Sequence, residues 1–192
     1  MKSVRRNEDA FTGLEAAIVL IAFVVVAAVF SYVVLGAGFF TTQKSQETVH
    51  TAVGQASSAV EILGNVYGEG AAGSSTVSLI NFSIGLAAGA SPVDLSMTVM
   101  TYSTKDIVET LSYVPGEGSP NVASDWVIYK VENEVGDNAV LEPGEQFTII
   151  AKPTTPLSAY DSFTLDIKPS IGASLGIHRT IPASVEKVNL LY

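Results

Sequence analysis

Five residues of the sequence have the spacing of a nucleophile elbow. Gly172-Ala-Ser-Leu-Gly176 matches G-x-S-x-G, a motif in which a serine at a strand-to-helix turn acts together with an acid and a histidine. The histidine near it, His178, follows Ser174 by four residues, and no acidic residue lies between them. The flanking segments alternate between apolar and polar residues, which is typical of strands. We therefore interpret the motif as a loop between two strands and predict that the chain is not an enzyme.

A second motif is rich in glycine. Gly68-Glu-Gly-Ala-Ala-Gly73 matches G-x-G-x-x-G, which in dinucleotide-binding proteins follows a strand and opens a helix. Here it follows a helical pattern and precedes a strand pattern, so the order is reversed. We interpret residues 67–75 as a Gly/Ser linker and predict no cofactor.

Acidic residues gather in one turn of the sequence. Glu132, Glu134 and Asp137 could offer carboxylate oxygens to Ca²⁺, a cation that prefers such ligands. Their spacing is not that of an EF-hand, and Gly136-Asp137 is typical of a hairpin tip. Acidic turns are also common without a metal. We predict no metal site, and keep these three residues as the candidates should Ca²⁺ bind.

One sequon for N-glycosylation is present. Asn81-Phe-Ser83 is the single N-x-S/T motif of the chain, and it falls in a segment with strand periodicity. An asparagine on the solvent face of a strand fits a glycan acceptor in a secreted protein. The motif is also common by chance, so Asn81 is a candidate for glycosylation and no more.

Glu15 stands at the start of a long uncharged stretch. Residues 16–43 contain no Asp, Glu, Lys or Arg, and residues 16–30 are apolar on every face of a helix. At about 1.5 Å per residue these 28 positions span roughly 42 Å, more than the ~30 Å of a bilayer core. Lys2, Arg5 and Arg6 precede the stretch, and basic residues in such a place stay on the cytoplasmic side. The stretch predicts a membrane-spanning helix.

Small residues recur along this apolar helix. A helix that leaves lipid for a bundle of like helices moves between two apolar phases, so close packing at small residues must supply the association energy. This pattern favours assembly over a simple membrane anchor. The small residues are Ala16, Ala17, Ala22, Ala27, Ala28, Ser31, Gly36 and Gly38.

Beyond the apolar stretch the periodicity predicts an α+β chain. An amphipathic pattern continues the helix to about Asn65, which gives a predicted helix over residues 11–66. His50 has only Glu47 at helical spacing and is interpreted as a solvated residue of this helix. From residue 76 the period becomes two, and the six strand patterns separated by turn signals predict an antiparallel, immunoglobulin-like β-sandwich over residues 76–192. The predicted strands are Val77–Ile84, Asp94–Tyr102, Trp126–Val131, Gln146–Ala151, Ser162–Lys168 and His178–Ala183.

Composition excludes several classes of function. The chain has 192 residues and no cysteine, so it has neither disulfides nor thiol chemistry. The stretch in an apolar phase leaves about 120 residues, enough for one ordinary soluble domain. The formal charge is −9, and an acidic protein without a basic patch is repelled by phosphate backbones. We predict no binding to nucleic acid.

The residues before the apolar helix resemble the class III signal of type IV pilin-like proteins. In that signal, cleavage follows a small residue, a large apolar residue comes first in the mature chain, and a glutamate comes fifth. Cleavage between Ala10 and Phe11 puts Glu15 in fifth place, and makes residues 1–10 a signal peptide that is removed. Glycine is typical before the cut, so cleavage after Gly13 stays open.

Within that group the chain resembles the archaellins, the filament subunits of the archaeal swimming organelle. The similarity lies in Ile18-Val-Leu-Ile-Ala-Phe-Val-Val-Val-Ala-Ala-Val29 and Gly38-Phe-Phe-Thr-Thr-Gln-Lys-Ser45, and more loosely in Pro143-Gly-Glu145 and Arg179-Thr-Ile-Pro182. The resemblance implies a helical homopolymer whose core is the N-terminal helix and whose outer wall is the β-sandwich. It also implies frequent glycosylation.

The resemblance implies roles for residues of the helix. The Glu15 carboxylate is expected to pair with the free amine of Phe11 on a neighbouring subunit; a capping box, Thr12-x-x-Glu15, is the alternative interpretation. The expected assembly residues are Phe11, Glu15, Ile18, Ile21, Phe23, Ala27, Ala28 and Phe30.

The implied partners are other copies of the chain, a prepilin-type signal peptidase, and a membrane assembly platform with its motor. The implied location is an extracellular filament, with the precursor in the cytoplasmic membrane. Two alternatives stay open: an adhesive pilin-like fibre, and a monomeric surface domain that uses the helix as a membrane anchor.

Overall fold

The computed structural model describes residues 3–70, 73, 75–116 and 118–192, and for residues 3–11 it describes the helix but not the side chains. The chain divides into two compact units, Met1–Thr51 and Ala52–Tyr192. The first consists of helix, and the second is a head built from strands, called the head below.

A single long helix, α1, runs over Ser3–Ser57. Its many valines and isoleucines lower helix propensity slightly in water. In an apolar phase, however, every backbone N–H and C=O must find an internal partner, and an α-helix supplies all of them within one segment. No proline interrupts the sequence of α1. The length and apolar composition of the helix therefore agree with the prediction of a membrane-spanning segment.

The helix ends at Ser57, so the prediction that it extends to about Asn65 is wrong. Ser58 N still donates a hydrogen bond to Gly54 O at 3.0 Å, after which the chain turns into the head. Val60 and Val66 are buried there, with 7% and 1% of their surface exposed. Apolar residues in so short a segment fit helix and strand periodicity alike, and burial in the head stabilises the strand form. Tyr67–Glu69, predicted as linker, is also a strand.

Over its described residues the head contains 14 strands in chain order. They are β1 Val60–Ile62, β2 Tyr67–Glu69, β3 Thr76–Val77, β4 Leu79–Leu86, β5 Val93–Asp94, β6 Val99–Ser103, β7 Val108–Tyr113, β8 Asp125–Glu132, β9 Val140–Leu141, β10 Gln146–Lys152, β11 Leu157–Ser158, β12 Ser162–Lys168, β13 Leu175–Thr180 and β14 Val188–Leu190.

Ten of the strands form one sheet. Its order is β13-β12-β6-β7-β8-β10-β4-β2-β14, with β1 also paired to β4. All pairs are antiparallel except β7 and β8, which run parallel and join at Ser112 and Tyr113. The two edge strands of the sheet approach each other. Thr180 N, at the end of β13, donates a hydrogen bond to Tyr192 O, just after β14, at 2.7 Å. The predicted class, a long helix followed by a mostly antiparallel β head, is confirmed.

Alternating residues of these strands fill one apolar core. Residues 80, 82 and 84 of β4 and 163, 165 and 167 of β12 have at most 1% of their surface exposed. Trp126 of β8 lies fully buried, with its ring 4.7 Å from that of Tyr113. Because strands from both halves of the sheet contribute to one cluster, the head folds as a unit.

Each predicted strand segment contains a strand, with three differences. Val77–Ile84 is divided between β3 and β4, Asp94–Tyr102 is divided into β5 and β6, and His178–Ala183 moves forward to become β13. The shift follows from burial, since Ile177 is fully buried against β12, while Pro182 lacks the N–H that a ladder needs. Alternation of apolar and polar residues does not predict β7, because Leu111 is its one buried residue.

Gly172 links the β12–β13 connection to the residue just after α1. Its φ is +111°, and a Cβ at this position would lie 2.4 Å from Ser58 O. The next residue donates from Ala173 N to the same Ser58 O at 3.1 Å. The close approach of two backbone segments therefore requires glycine here.

The carboxylate of Glu109, on β7, is hydrogen-bonded to residues of two connections: Ser124, just before β8, and Thr154, just after β10. Glu109 accepts hydrogen bonds from Thr154 N at 2.8 Å, from the Thr154 hydroxyl at 2.5 Å and from the Ser124 hydroxyl at 2.9 Å. Burial alone would raise the pKa of Glu109, but these three hydrogen bonds outweigh it and hold the pKa below its usual value. The carboxylate thus stabilises the fold in its charged form.

Substitution of Gly172 tests the close approach to Ser58. An alanine with a positive φ destabilises the fold by about 1–2 kcal/mol through backbone strain alone. In Gly172→Ala we expect the free energy of unfolding to fall by more than this, because Ser58 must also move. Gly144→Ala is the matched control, with φ +95° and no neighbour within 4 Å of the added Cβ. Denaturant unfolding of the full-length protein, followed by Trp126 fluorescence, measures both. Equal losses in the two variants would contradict the contact.

Acid titration tests the Glu109 hydrogen bonds. A carboxyl whose folded pKa is lowered stabilises the fold above its ordinary pKa, and that contribution is lost as pH falls through the folded pKa. We expect Glu109→Gln to lower stability near neutral pH and to flatten the stability profile between about pH 6 and pH 3. Thr154→Val, which removes one donor, should flatten it in part. A wild-type slope in Glu109→Gln would refute this.

Candidate functional site

Over residues 12–57, where the side chains are described, the apolar surface of α1 is exposed on every side. Ile18 and Ile21 are 60% and 63% exposed, and Phe23 and Phe30 are 72% and 69% exposed. At about 100° per residue the two isoleucines lie on one side of the helix and the two phenylalanines on another. The most apolar 18-residue window has no buried residue, and the helix is long and apolar enough to cross a membrane. This surface needs an apolar partner.

The predicted contact positions are placed along this surface. Ala27 and Ala28 are exposed among larger residues, and a shallow groove beside them is lined by Val25, Val26, Val29, Phe30 and Val33. Small residues flanked by branched ones form the kind of hole that receives a side chain of another helix. The geometry is therefore suited to close helix packing.

Threonine hydroxyls further along α1 are satisfied within the helix. Thr41 donates to Ala37 O at 2.8 Å, Thr42 to Gly38 O at 2.9 Å and Thr48 to Lys44 O at 2.8 Å. The Lys44 ammonium donates to the Glu47 carboxylate at 2.7 Å. Polar side chains with such partners can approach another surface at a smaller desolvation cost. The spacing of four residues between donor and acceptor is visible in the sequence.

Glu15 lies within α1, and its side chain is exposed. In the uncut chain α1 begins at Ser3, so Thr12 lies within the helix there and is not its N-cap. Residues 3–10 contain neither proline nor glycine, so nothing stops the helix from starting earlier. Ala10 and Phe11 fall within the bounds of α1, but their side chains lie outside the described residues, and a pairing of Glu15 with Phe11 stays a prediction.

The residues of the nucleophile-elbow motif are not brought together as a catalytic group. Residues 169–174 connect β12 to β13, which confirms the interpretation of a loop between two strands. Across the β12–β13 pair, His178 Nδ1 lies 3.0 Å from the Thr164 hydroxyl. The histidine therefore serves a cross-strand contact.

The acidic turn is organised by a buried carboxylate that the sequence did not single out. Glu145, 3% exposed, accepts from Val135 N at 2.7 Å through Oε1 and from Glu142 N at 2.8 Å through Oε2. The sequence feature that could have indicated this role is the turn motif Pro143-Gly-Glu145 directly before β10.

The Ca²⁺ candidates themselves are spread along the turn. Glu132 pairs with Lys130, and this hydrogen bond raises the pKa of Lys130. Over the described residues, no group of three or more His, Asp or Glu side chains is placed to hold a metal. Glu134 and Asp137 are among these residues, so they belong to no such group. The geometry therefore offers no cluster for Ca²⁺.

Asn81 lies on β4, between β2 and β10. Its side chain is half-buried, and Nδ2 donates to Glu69 Oε1 at 3.1 Å. A glycan on Nδ2 would replace one hydrogen of this amide, so the second hydrogen would have to keep the bond to Glu69.

Comparison with known proteins connects the helix and the head to one family. The profile of the archaeal-type flagellin family matches residues 10–179. The chain is 42% identical over 196 residues to "Probable flagellin 1" of Archaeoglobus fulgidus, covering 97% of this chain and 96% of that protein. It is 91% identical over 32 residues to the "24 kDa flagellin" of Methanospirillum hungatei, covering 17% of this chain and all of that sequence.

A solved filament has the same fold. The structure of the archaeal flagellum of Methanospirillum hungatei strain JF1 superposes with a TM-score of 0.74 at 36% identity, over 94% of this chain and 99% of that chain. Both the apolar helix and the head therefore have a counterpart in a filament subunit.

Proposed function

The chain belongs to the archaeal-type flagellin family, and from this premise we propose that it is a structural subunit of the archaellum filament, which polymerises through α1. The observation that carries the proposal is the uncovered helix. Its most apolar window carries no buried residue, while the head has a complete core of its own. The helix is thus the part of the chain that requires other copies.

The physical chemistry of assembly follows from where the helix can reside. In the precursor, lipid covers the apolar surface; in a filament outside the cell, the helices of other copies must cover it. Both surroundings are apolar, so the transfer gains little hydrophobic free energy, and packing at small residues such as Ala27 and Ala28 has to drive it.

Processing at Ala10 and Phe11 removes the obstacle to this transfer. Residues 1–10 carry three basic and two acidic side chains. A charge at the centre of an apolar phase costs about 2.5–3.5 kcal/mol on insertion scales, so an uncut chain could not place this segment in a packed core. A prepilin-type signal peptidase is the enzyme expected to make the cut.

After the cut, Glu15 gains a role. The new α-amine of Phe11 would be a positive charge at the end of an apolar helix, and the Glu15 carboxylate of a neighbouring copy is the charge that can neutralise it. The pair would set the axial position of one helix against the next.

The remaining partners follow from the proposed filament. It would be assembled at a membrane platform, rotated by a separate membrane motor, and serve swimming while the chain itself carries no catalytic role. Asn81 is the proposed glycan acceptor on the extracellular filament.

The mature N-terminus provides the first test. Intact-mass and N-terminal peptide mass spectrometry of purified filaments should find a chain that begins at Phe11. A start at Leu14 would move the cut to the alternative site after Gly13. Met1 retained on the surface protein would contradict the filament and favour a membrane-anchored monomer.

Substitution of Glu15 provides the second test. Glu15→Ala should leave membrane insertion and cleavage intact, because the apolar stretch is unchanged, but should reduce filaments per cell at least tenfold, as expected from about 1.4 kcal/mol or more lost per added subunit. Electron microscopy and swimming assays measure this. Glu61→Ala, at an exposed site of β1, is the control and should leave filaments normal. Normal filaments from Glu15→Ala would eliminate the proposed pair.

A further inference from the structure

Two hydroxyl groups interrupt the apolar surface of α1. Ser31 and Tyr32 are the only residues between Glu15 and Thr41 whose side chains can form hydrogen bonds. The other aromatic residues of α1 are all phenylalanine, so Tyr32 carries the one phenolic hydroxyl of the helix. Tyr32 is 80% exposed, and Ser31 is exposed beside it. Each hydroxyl needs a hydrogen-bond partner wherever water is excluded from this surface.

Neither hydroxyl has a hydrogen-bond partner among the residues that the structure describes. The threonines further along the helix differ, because the hydroxyls of Thr41 and Thr42 donate to carbonyls one turn earlier. Phenylalanine at position 32 would supply the same ring without a hydroxyl to satisfy. A partner for Tyr32 must therefore come from outside its own helix.

In the precursor, water can satisfy the Tyr32 hydroxyl. Tyr32 follows Glu15 by 17 residues, which is about 25 Å along the helix. With Glu15 near one boundary of a bilayer core of ~30 Å, Tyr32 lies close to the other boundary, where tyrosines are common because the ring is apolar and the hydroxyl reaches water. A packed bundle of helices excludes this water. There, another copy of the chain has to supply the partner.

The proposed pairing of Glu15 with Phe11 sets the relative height of neighbouring helices. It places Phe11 of one copy level with Glu15 of the next, a displacement of four residues or about 6 Å. A tyrosine in a helix leans over the turn before it, so its hydroxyl lies near the height of residue 28 of its own helix. On the neighbour whose Glu15 is level with this Phe11, the same height corresponds to residue 32, directly next to Ser31.

Ser31 and Tyr32 face different directions, which suits a helical polymer. Successive residues of a helix lie about 100° apart around its axis. In a heterologous interface each copy uses one patch for the copy before it and another patch for the copy after it, and such contacts build open filaments. Tyr32 can therefore serve one neighbour while Ser31 serves the other.

The two hydroxyls are also complementary as donor and acceptor. A serine hydroxyl has one hydrogen to donate and two lone pairs that accept. Ser31 can accept from Tyr32 of a neighbour and still donate to Ala27 O, one turn earlier, in the way that Thr41 donates to Ala37 O at 2.8 Å. Both hydroxyls are then satisfied in an apolar core without water.

We propose that the Tyr32 hydroxyl of each copy donates a hydrogen bond to the Ser31 hydroxyl of a neighbouring copy, and that this pair fixes the axial position of the helices in the filament core. The contact depends on the proposed polymerisation through α1 and on the displacement that the Glu15 pair sets. Ser31 and Tyr32 are positioning residues, because apolar side chains alone pack in several registers while a hydrogen bond is satisfied in one.

A double-mutant cycle on purified filaments tests the pair. Tyr32→Phe, Ser31→Ala and the double variant are each produced as the sole filament subunit, and the decay of light scattering in a non-ionic detergent gives the half-life of the filaments. We expect each single variant to shorten the half-life about threefold, because one interhelical hydrogen bond in an apolar phase contributes about this factor. The double variant should also lose about threefold, since either change breaks the same bond. A loss of about ninefold in the double variant would indicate two independent contacts and overturn the pairing.

Thr41→Val is the matched control, because it removes a hydroxyl that already donates within its own helix. Its filaments should have the half-life of the unaltered protein, and an equal loss in this variant would overturn the proposal. Tyr32→Phe filaments that are fewer on cells but equally long-lived once purified would also overturn it, since the hydroxyl would then serve the membrane precursor alone. Unaltered protein that forms filaments while Tyr32→Phe has no effect refutes this contact only; unaltered protein without filaments refutes the proposed function as well.

Discussion

The structure depends on one constraint: an apolar helix surface that carries no charge over residues 16–43 must be covered by something apolar. Lipid and copies of the same helix are the two coverings that the chain can have, and the fold allows both. Helix α1 satisfies its own backbone, so either surrounding can receive it without unpaired peptide groups. The threonines near its end follow the same logic, since their hydroxyls donate to carbonyls one turn earlier.

The head meets a different requirement, because it has to remain folded whichever covering the helix has. Its core is complete, and polar contacts hold the connections: Gly172 lies against Ser58, Glu109 binds two loops, and Glu145 binds the acidic turn. The first two of these contacts join residues that are far apart in sequence. They stabilise the head through its own residues, as the proposed transfer of the helix from lipid to a filament requires.

Much of this architecture could be predicted from local patterns. The uncharged stretch defines the helix, and period-two segments such as Ser162–Lys168 define strands, because both signals depend on neighbouring residues only. The end of the helix could not be predicted in this way. Val60 belongs to a strand, and both Val60 and Val66 are buried through contacts with the rest of the head. The parallel pairing of β7 with β8 depends on contacts between separate strands, which no local pattern contains. The cleavage site and the Glu15 role rest on family resemblance.

The meeting of the two sheet edges at Thr180 and Tyr192 has a consequence for crowding. Free strand edges are templates for aggregation when many identical domains are held side by side. Here the backbone N–H of Thr180 is occupied by Tyr192, and the carbonyl of His178 accepts from the Arg179 guanidinium at 2.8 Å. Neighbouring heads at high local concentration are thereby discouraged from zipping together through their backbones.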